Sequence, residues 1–172
     1  MSNDTAPASC FWITIDCKSE AAGRHGPSSP TEGKRIVEQM ADTAGLNHLG
    51  LTVRDLNETT DFFTTVLGWQ ETARDETYPR NSITDGQLRL TLWQASKSAK
   101  TVDFNRKSNI GLHHLALTVS SEAELIRLAA AISAYEGVPI EFMPELVGKG
   151  PRKHMMFAEP GGIRLELIWS GE

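Results

Sequence analysis

Cysteine is nearly absent from this sequence: Cys10 and Cys17 are the two thiols among 172 residues. Both lie in the N-terminal segment, and their CxxxxxxC spacing, without further Cys or a nearby His pair, is a poor zinc pattern. A disulfide-stapled core and a zinc finger are therefore excluded, and both thiols read as incidental. Positive charge is also scarce, with 17 Lys and Arg against 22 Asp and Glu and a net charge of −5. Such a chain offers no basic surface to neutralise nucleic-acid phosphates. No apolar run approaches the ~20 residues that cross a bilayer, and no basic, then apolar, leader opens the sequence. The expectation is a cytoplasmic protein with a small-molecule partner and neither nucleic acid nor membrane. What remains is globular: 40% hydrophobic and 23% charged residues suffice for one core, or for two half-size modules sharing a site.

Residues 1–43 are rich in Ser, Gly, Pro and charge, as in KSEAAGRHGPSSPTEGK, and read as a dispensable extension in which His25 is discounted as a ligand. Beyond it the chain repeats itself. GLNHLGLTV at 45–53 returns as GLHHLALTV at 111–119 with seven of nine positions identical, and GQLRLTLW at 86–93 returns as GGIRLELIW at 161–169. The organisation is a first module at 44–94, a linker at 95–110 and a second module at 111–172.

Each nonapeptide leads into an amphipathic helix. Leu56, Phe63, Val66 and Leu67 recur at helical spacing before Gly68. Ser121 with Glu124 forms a capping box ahead of the stripe Leu125, Leu128, Ile132 and Tyr135, which Gly137 ends. Strand-like runs follow: WQETA, RNSIT and LRLTLW in the first copy, VPIEFM, KHMMFA and IRLELIW in the second. Each module is predicted to be βαβββ.

Strand alternation then sorts the side chains. Leu49, Leu51 and Val53, with Leu115, Leu117 and Val119, take the helix side, which leaves His48 and His114 on the opposite face beside small neighbours. Ile163, Leu165 and Leu167 likewise face the helix, so Glu166 joins the two histidines. A carboxylate among leucines is costly to bury unless charge or hydrogen bonds compensate, and a divalent metal held by two imidazoles would do so. The plainer alternative makes each histidine a hydrogen-bonded core residue and Glu166 the ion-pair partner of Arg89 or Arg164. The duplication favours the metal, because it places His48 and His114 at equivalent positions. His113 has the opposite parity and reads as a strand-end residue.

These repeats and the His48, His114, Glu166 pattern resemble the glyoxalase, bleomycin-resistance and extradiol-dioxygenase superfamily, the vicinal-oxygen-chelate proteins, over about residues 44–170. The resemblance implies an α+β fold in which two tandem βαβββ modules form a cupped half-barrel sheet pair with helices outside. It implies a homodimer, and one divalent metal per site, Fe(II) or Mn(II) first and Zn, Ni or Co as alternatives, held by His48, His114 and Glu166. The fourth ligand position falls on Thr91. Lactoylglutathione lyases carry a glutamate there, whereas extradiol dioxygenases use two histidines and one glutamate, and fosfomycin-modifying transferases have a threonine where Gly50 stands. Met156 stands where the dioxygenases have a tyrosine. His154 shares its parity and is a candidate acid-base group; Lys149 and Arg152, on the GKGPRK loop, would bind a substrate carboxylate or phosphate if that loop covers the cup. The implied function is chelation of two vicinal oxygens of a small substrate, dioxygenase-like rather than glyoxalase I. The alternatives are a lactoylglutathione-lyase-like isomerase and a metal-free ligand-sequestering protein.

Overall fold

Strand β1 (Leu49–Val53) alternates between the core, where Leu51 and Val53 are buried, and solvent, where Gly50 and Thr52 are exposed. Asp55 then starts helix α1 (Leu56–Asp61), its Oδ1 accepting from the backbone N–H of Asn57 at 2.9 Å and of Glu58 at 3.1 Å. The helix widens into a π-helical turn at Phe62–Val66. Threonines crowd this stretch, and their hydroxyls donate back into it: Thr60 to the carbonyl of Leu56 at 2.6 Å, Thr65 to that of Asp61 at 2.7 Å. Such back-bonding competes with the regular helical ladder and bends it. Gly68, at φ 71°, ends the segment, and the N–H of Trp69 returns to the carbonyl of Phe63 at 3.0 Å. Strands β2 (Gln70–Asp75), β3 (Arg80–Thr84) and β4 (Arg89–Gln94) complete a four-stranded sheet of order β1-β4-β3-β2, in which β1 runs parallel to β4. This structure is a computed structural model and describes residues 42–172; Cys10, Cys17, His25 and most of the expected extension lie outside the described residues.

The second copy follows the same plan with β5 (Leu115–Thr118), α2 (Glu122–Ala134), β6 (Ile140–Leu146), β7 (Lys153–Ala158) and β8 (Arg164–Trp169), in sheet order β5-β8-β7-β6. Ser121 Oγ accepts from the N–H of Glu124 at 3.1 Å, as the capping box requires, and Leu125, Leu128 and Ile132 are buried. Gly137, with φ 83°, follows the helix.

The helical layers meet where the modules join. The Phe62 ring lies 5.3 Å from Tyr135 and 6.1 Å from Phe157, and Phe62, Phe63 and Phe157 are fully buried. Thr59 Oγ1 donates to Glu159 Oε2 at 2.7 Å across the same junction, while Glu159 Oε1 accepts from the N–H of Ile163 at 2.9 Å. Both side chains are essentially inaccessible, so these two hydrogen bonds satisfy a carboxylate that water does not reach.

This arrangement corrects the expectation of a cupped half-barrel pair with helices outside. The strand ladders run within each module, so the two sheets stay separate and open, and neither closes into a barrel. Four strands are too few to close, since a filled barrel takes about eight. The helices sit at the junction because Phe62, Phe157 and Tyr135 give the helix-bearing faces a common apolar surface. The opposite face of each sheet is left outward, with Gly50, Thr52, Ala116 and Thr118 all exposed.

Candidate metal centre

On the outward face of the second sheet, register places Glu166 of β8 between Ala116 of β5 and Met156 of β7. His114 precedes Ala116 by two residues and His154 precedes Met156 by two, so strand alternation brings both imidazoles to the carboxylate. His154 Nδ1 lies 2.5 Å from Glu166 Oε1, and His114 Nε2 lies 3.1 Å from Oε2. Glu166 is buried to 8% exposure, and its two oxygens are divided between two imidazoles. Met156, 5% exposed, floors the site beside it, and Phe142 packs against His154 at 4.9 Å between ring centroids.

The arginine alternative for Glu166 is answered by its neighbour. Arg164 grips Glu141 instead, Nε to Oε1 at 2.7 Å and Nη2 to Oε2 at 2.9 Å, with Arg106 at 3.5 Å on the same carboxylate. The hydrogen bonds from Arg164 hold Glu141 below the usual carboxylate range against the opposing effect of burial, and raise Arg164 in turn. His113 Nδ1 stands 2.8 Å from His114 Nδ1 and 3.5 Å from Arg164. Partial desolvation, followed by the positive charge of Arg164, keeps His113 below the ordinary imidazole range.

The donor chemistry fits a divalent metal in part. Two ligands bonded at about 2.1 Å and at right angles stand about 3 Å apart, and the His114–Glu166 contact has that span. The third member of the sequence pattern is elsewhere. His48 is exposed on the first sheet, its Nδ1 2.8 Å from Asn47 Oδ1 and 3.4 Å from Arg89 Nη2. Among the described residues no three His, Cys, Asp or Glu side chains converge on a metal position. One chain thus carries a His114–Glu166–His154 cluster on one sheet and a separate face bearing His48 and Thr91 on the other.

Thr91 lies on that first face, between Gly50 of β1 and Ser82 of β3 in register, and is 8% exposed. Lys149 and Arg152 are exposed on the loop joining β6 to β7, which closes with the N–H of Val147 on the carbonyl of Arg152 at 2.9 Å; neither makes an ion pair among the described residues. Lys153 is paired, to Glu122. Sequence reasoning passed over Trp93, Tyr78 and Arg80, which cluster on the first face, with Trp93 5.0 Å from Tyr78 and 5.6 Å from the Arg80 guanidinium. The signal was available, because Trp93 is two residues beyond Thr91 and must share its side of the sheet.

Comparison with known proteins bears on the fold and the family. A curated relative, the 2-epi-5-epi-valiolone epimerase of an Actinomyces species, is 29% identical over 145 residues, covering 72% of this chain and 78% of the relative. Among solved structures, a glyoxylase/bleomycin resistance protein/dioxygenase domain from Frankia sp. EAN1pec superposes with a TM-score of 0.64 at 24% identity, over 74% of this chain and 93% of its own. The fosfomycin resistance protein FosX of Listeria monocytogenes gives 0.57 at 22%, over 74% and 93% of the two chains. Lactoylglutathione lyase of Agrobacterium tumefaciens gives 0.58 at 18%, over 76% and 97%; these likenesses speak to the fold. The family model of the Glyoxalase/Bleomycin resistance protein/Dioxygenase superfamily matches residues 45–167, and the chain belongs to that superfamily.

Proposed function

We propose that the protein is a metal-dependent isomerase that moves a proton at a carbon next to a chelated carbonyl, in a site completed by a second copy of the chain. The observation that carries this reading is the His114–Glu166–His154 cluster. A bound divalent metal, Fe(II) or Mn(II) among the borderline ions, would be held by His114 and Glu166 and by His48 of the other copy, and would polarise two adjacent substrate oxygens. The outward faces of the two sheets support the dimer: among the described residues no third ligand completes a metal site with the His114–Glu166 pair, and the first sheet of one copy laid over the second sheet of another would bring His48 to it.

His154 supplies the proton-transfer group. With Nδ1–H donated to Glu166, the lone pair lies on Nε2, on the outer side of the ring. The carboxylate fixes both the tautomer and the orientation of that imidazole, as an acid-base histidine requires. Nε2 takes the proton from the substrate carbon and returns it, to the same carbon or to its neighbour. Glu145, 4.0 Å from Nε2 and exposed, offers the imidazolium a route to solvent. Met156 and Phe142 shield the ring from water on the inner side. The epimerase relative performs a reaction of this class by its name, which supports the proton-transfer reading.

Thr91 favours a second reading. Its neutral hydroxyl leaves the face opposite Glu166 without a carboxylate base, an arrangement suited to a dioxygenase that binds O2 beside a chelated catechol. One experiment separates the two. Metal-loaded protein in D2O is expected to exchange deuterium into a cyclic α-hydroxyketone without consuming O2. Oxygen uptake with catechols and no exchange would select the dioxygenase, and ligand binding by protein that holds no metal would select a sequestering protein.

A further inference from the structure

The outward face of the first sheet carries chemistry that proton transfer does not use. Its cross-strand rows are Thr52, Trp93 and Arg80, then Gly50, Thr91 and Ser82, then Arg89 and Thr84 beside His48. These positions carry no acid, and Asp75 of β2, in register with Arg80, is the carboxylate at the edge of the face. The hydroxyls of Thr91 and Ser82, adjacent in register and each 8% exposed, have no hydrogen-bond partner among the described residues. Trp93 leans across β1 toward Gly50, where a Cβ would stand 3.5 Å from the indole Nε1, and that N–H is equally without a partner among the described residues. Arg80 lies over the same indole, and its nearest carboxylate, Asp75, is 3.7 Å away. A cavity of about 630 Å³ opens beside Trp93, Tyr78 and Thr52.

Free donors, a guanidinium paired to Asp75 at 3.7 Å but with no side-chain hydrogen bond among the described residues, and an aromatic wall share one outward face. We infer that this face binds a small polyoxygenated anion, with its anionic group on Arg80 and its hydroxyl or oxo groups on Thr91, Ser82 and the Trp93 N–H. Thr91 and Trp93 are two strand residues apart, about 6.8 Å, which a six-membered ring with one anionic substituent spans. Gly50 leaves the floor flat, so the ring packs against the indole without meeting a side chain. Arg80 rather than Arg89 takes the charge, because its guanidinium stands over the Trp93 indole with Asp75 no nearer than 3.7 Å, whereas Arg89 Nη2 is hydrogen bonded to Asn47 at 3.2 Å beside His48.

The inference rests on the reading above, since the same face presents His48, and its test is independent of metal. Full-length protein stripped with chelator is titrated calorimetrically with inorganic phosphate, malonate and myo-inositol, and metal uptake is measured on a parallel sample. Saturable binding of an anion is expected, the tighter of phosphate and malonate identifying the anionic group. Arg80→Gln should weaken it at least tenfold, Trp93→Phe should weaken it less, and Arg127→Gln on the far side of α2 should leave it unchanged. Anion affinity unaltered in both Arg80→Gln and Trp93→Phe, inositol bound as tightly as the anions, or no saturable binding would overturn the inference. Anion binding lost while metal is retained sinks this proposal alone; metal lost while anion binding persists sinks the metal reading alone.

Discussion

His154 and Glu166 are joined across β7 and β8 by a 2.5 Å contact between Nδ1 and Oε1, while Glu166 turns its other oxygen to His114. On the proposed function the two histidines have separable duties. His154→Gln should lower turnover by about 10²–10⁴-fold with metal content nearly unchanged, the usual range for losing a general base. His114→Ala should abolish metal retention. Elemental analysis beside kcat distinguishes them, and equal metal loss in both would show that His154 is a ligand instead.

Thr59, at the junction of the two modules, should matter to stability. Its hydroxyl is one of two protein donors to the buried Glu159 carboxylate, so Thr59→Val is expected to cost about 1–3 kcal/mol, the penalty for leaving a buried acceptor unsatisfied. Thermal unfolding measures this. A change within error would mean that water takes the place of the hydroxyl.

The Arg164–Glu141 pair predicts an acid limb in stability. Glu141 titrates lower in the folded chain than it would unfolded, so the unfolded state binds the proton first as pH falls. The contribution of the pair is complete above the ordinary carboxylate range and disappears as pH drops through the depressed folded value. Glu141 is about a third exposed, so solvent screening keeps the effect small. Glu141→Gln should flatten the difference between denaturant midpoints at neutral and acid pH.

Thr91→Glu adds a carboxylate to the face that carries His48. It is expected to tighten metal binding, measured by competition with a chelator, while suppressing the native turnover, because one exchangeable position at the metal is taken.

Much of this was legible in the sequence. The internal repeat and strand parity located every strand of both modules and put Glu166 on the side away from the helix, because a period of two is rigid and the leucines around it leave one choice of face. The capping residues gave the start of α2 for the same local reason. Two things were not legible. The packing of the modules helix to helix depends on Phe62, which the helical stripe skipped because the turn widens to π geometry there. That His48 lies beside the first sheet and Glu166 within the second follows from that packing and from no local pattern, so parity assigned each residue to a face without telling which faces meet.

The outward sheets also set a rule of stoichiometry. If each site draws His48 from one chain and the His114–Glu166 pair from the other, a twofold dimer holds two sites, and each chain contributes to both. A His48→Ala protein and a Glu166→Gln protein would each be inactive alone. Unfolded together and refolded as an equal mixture, half of the dimers would be mixed, each with one intact site and one doubly damaged, so about a quarter of wild-type activity would return from two dead proteins. A site enclosed within a single chain would recover nothing.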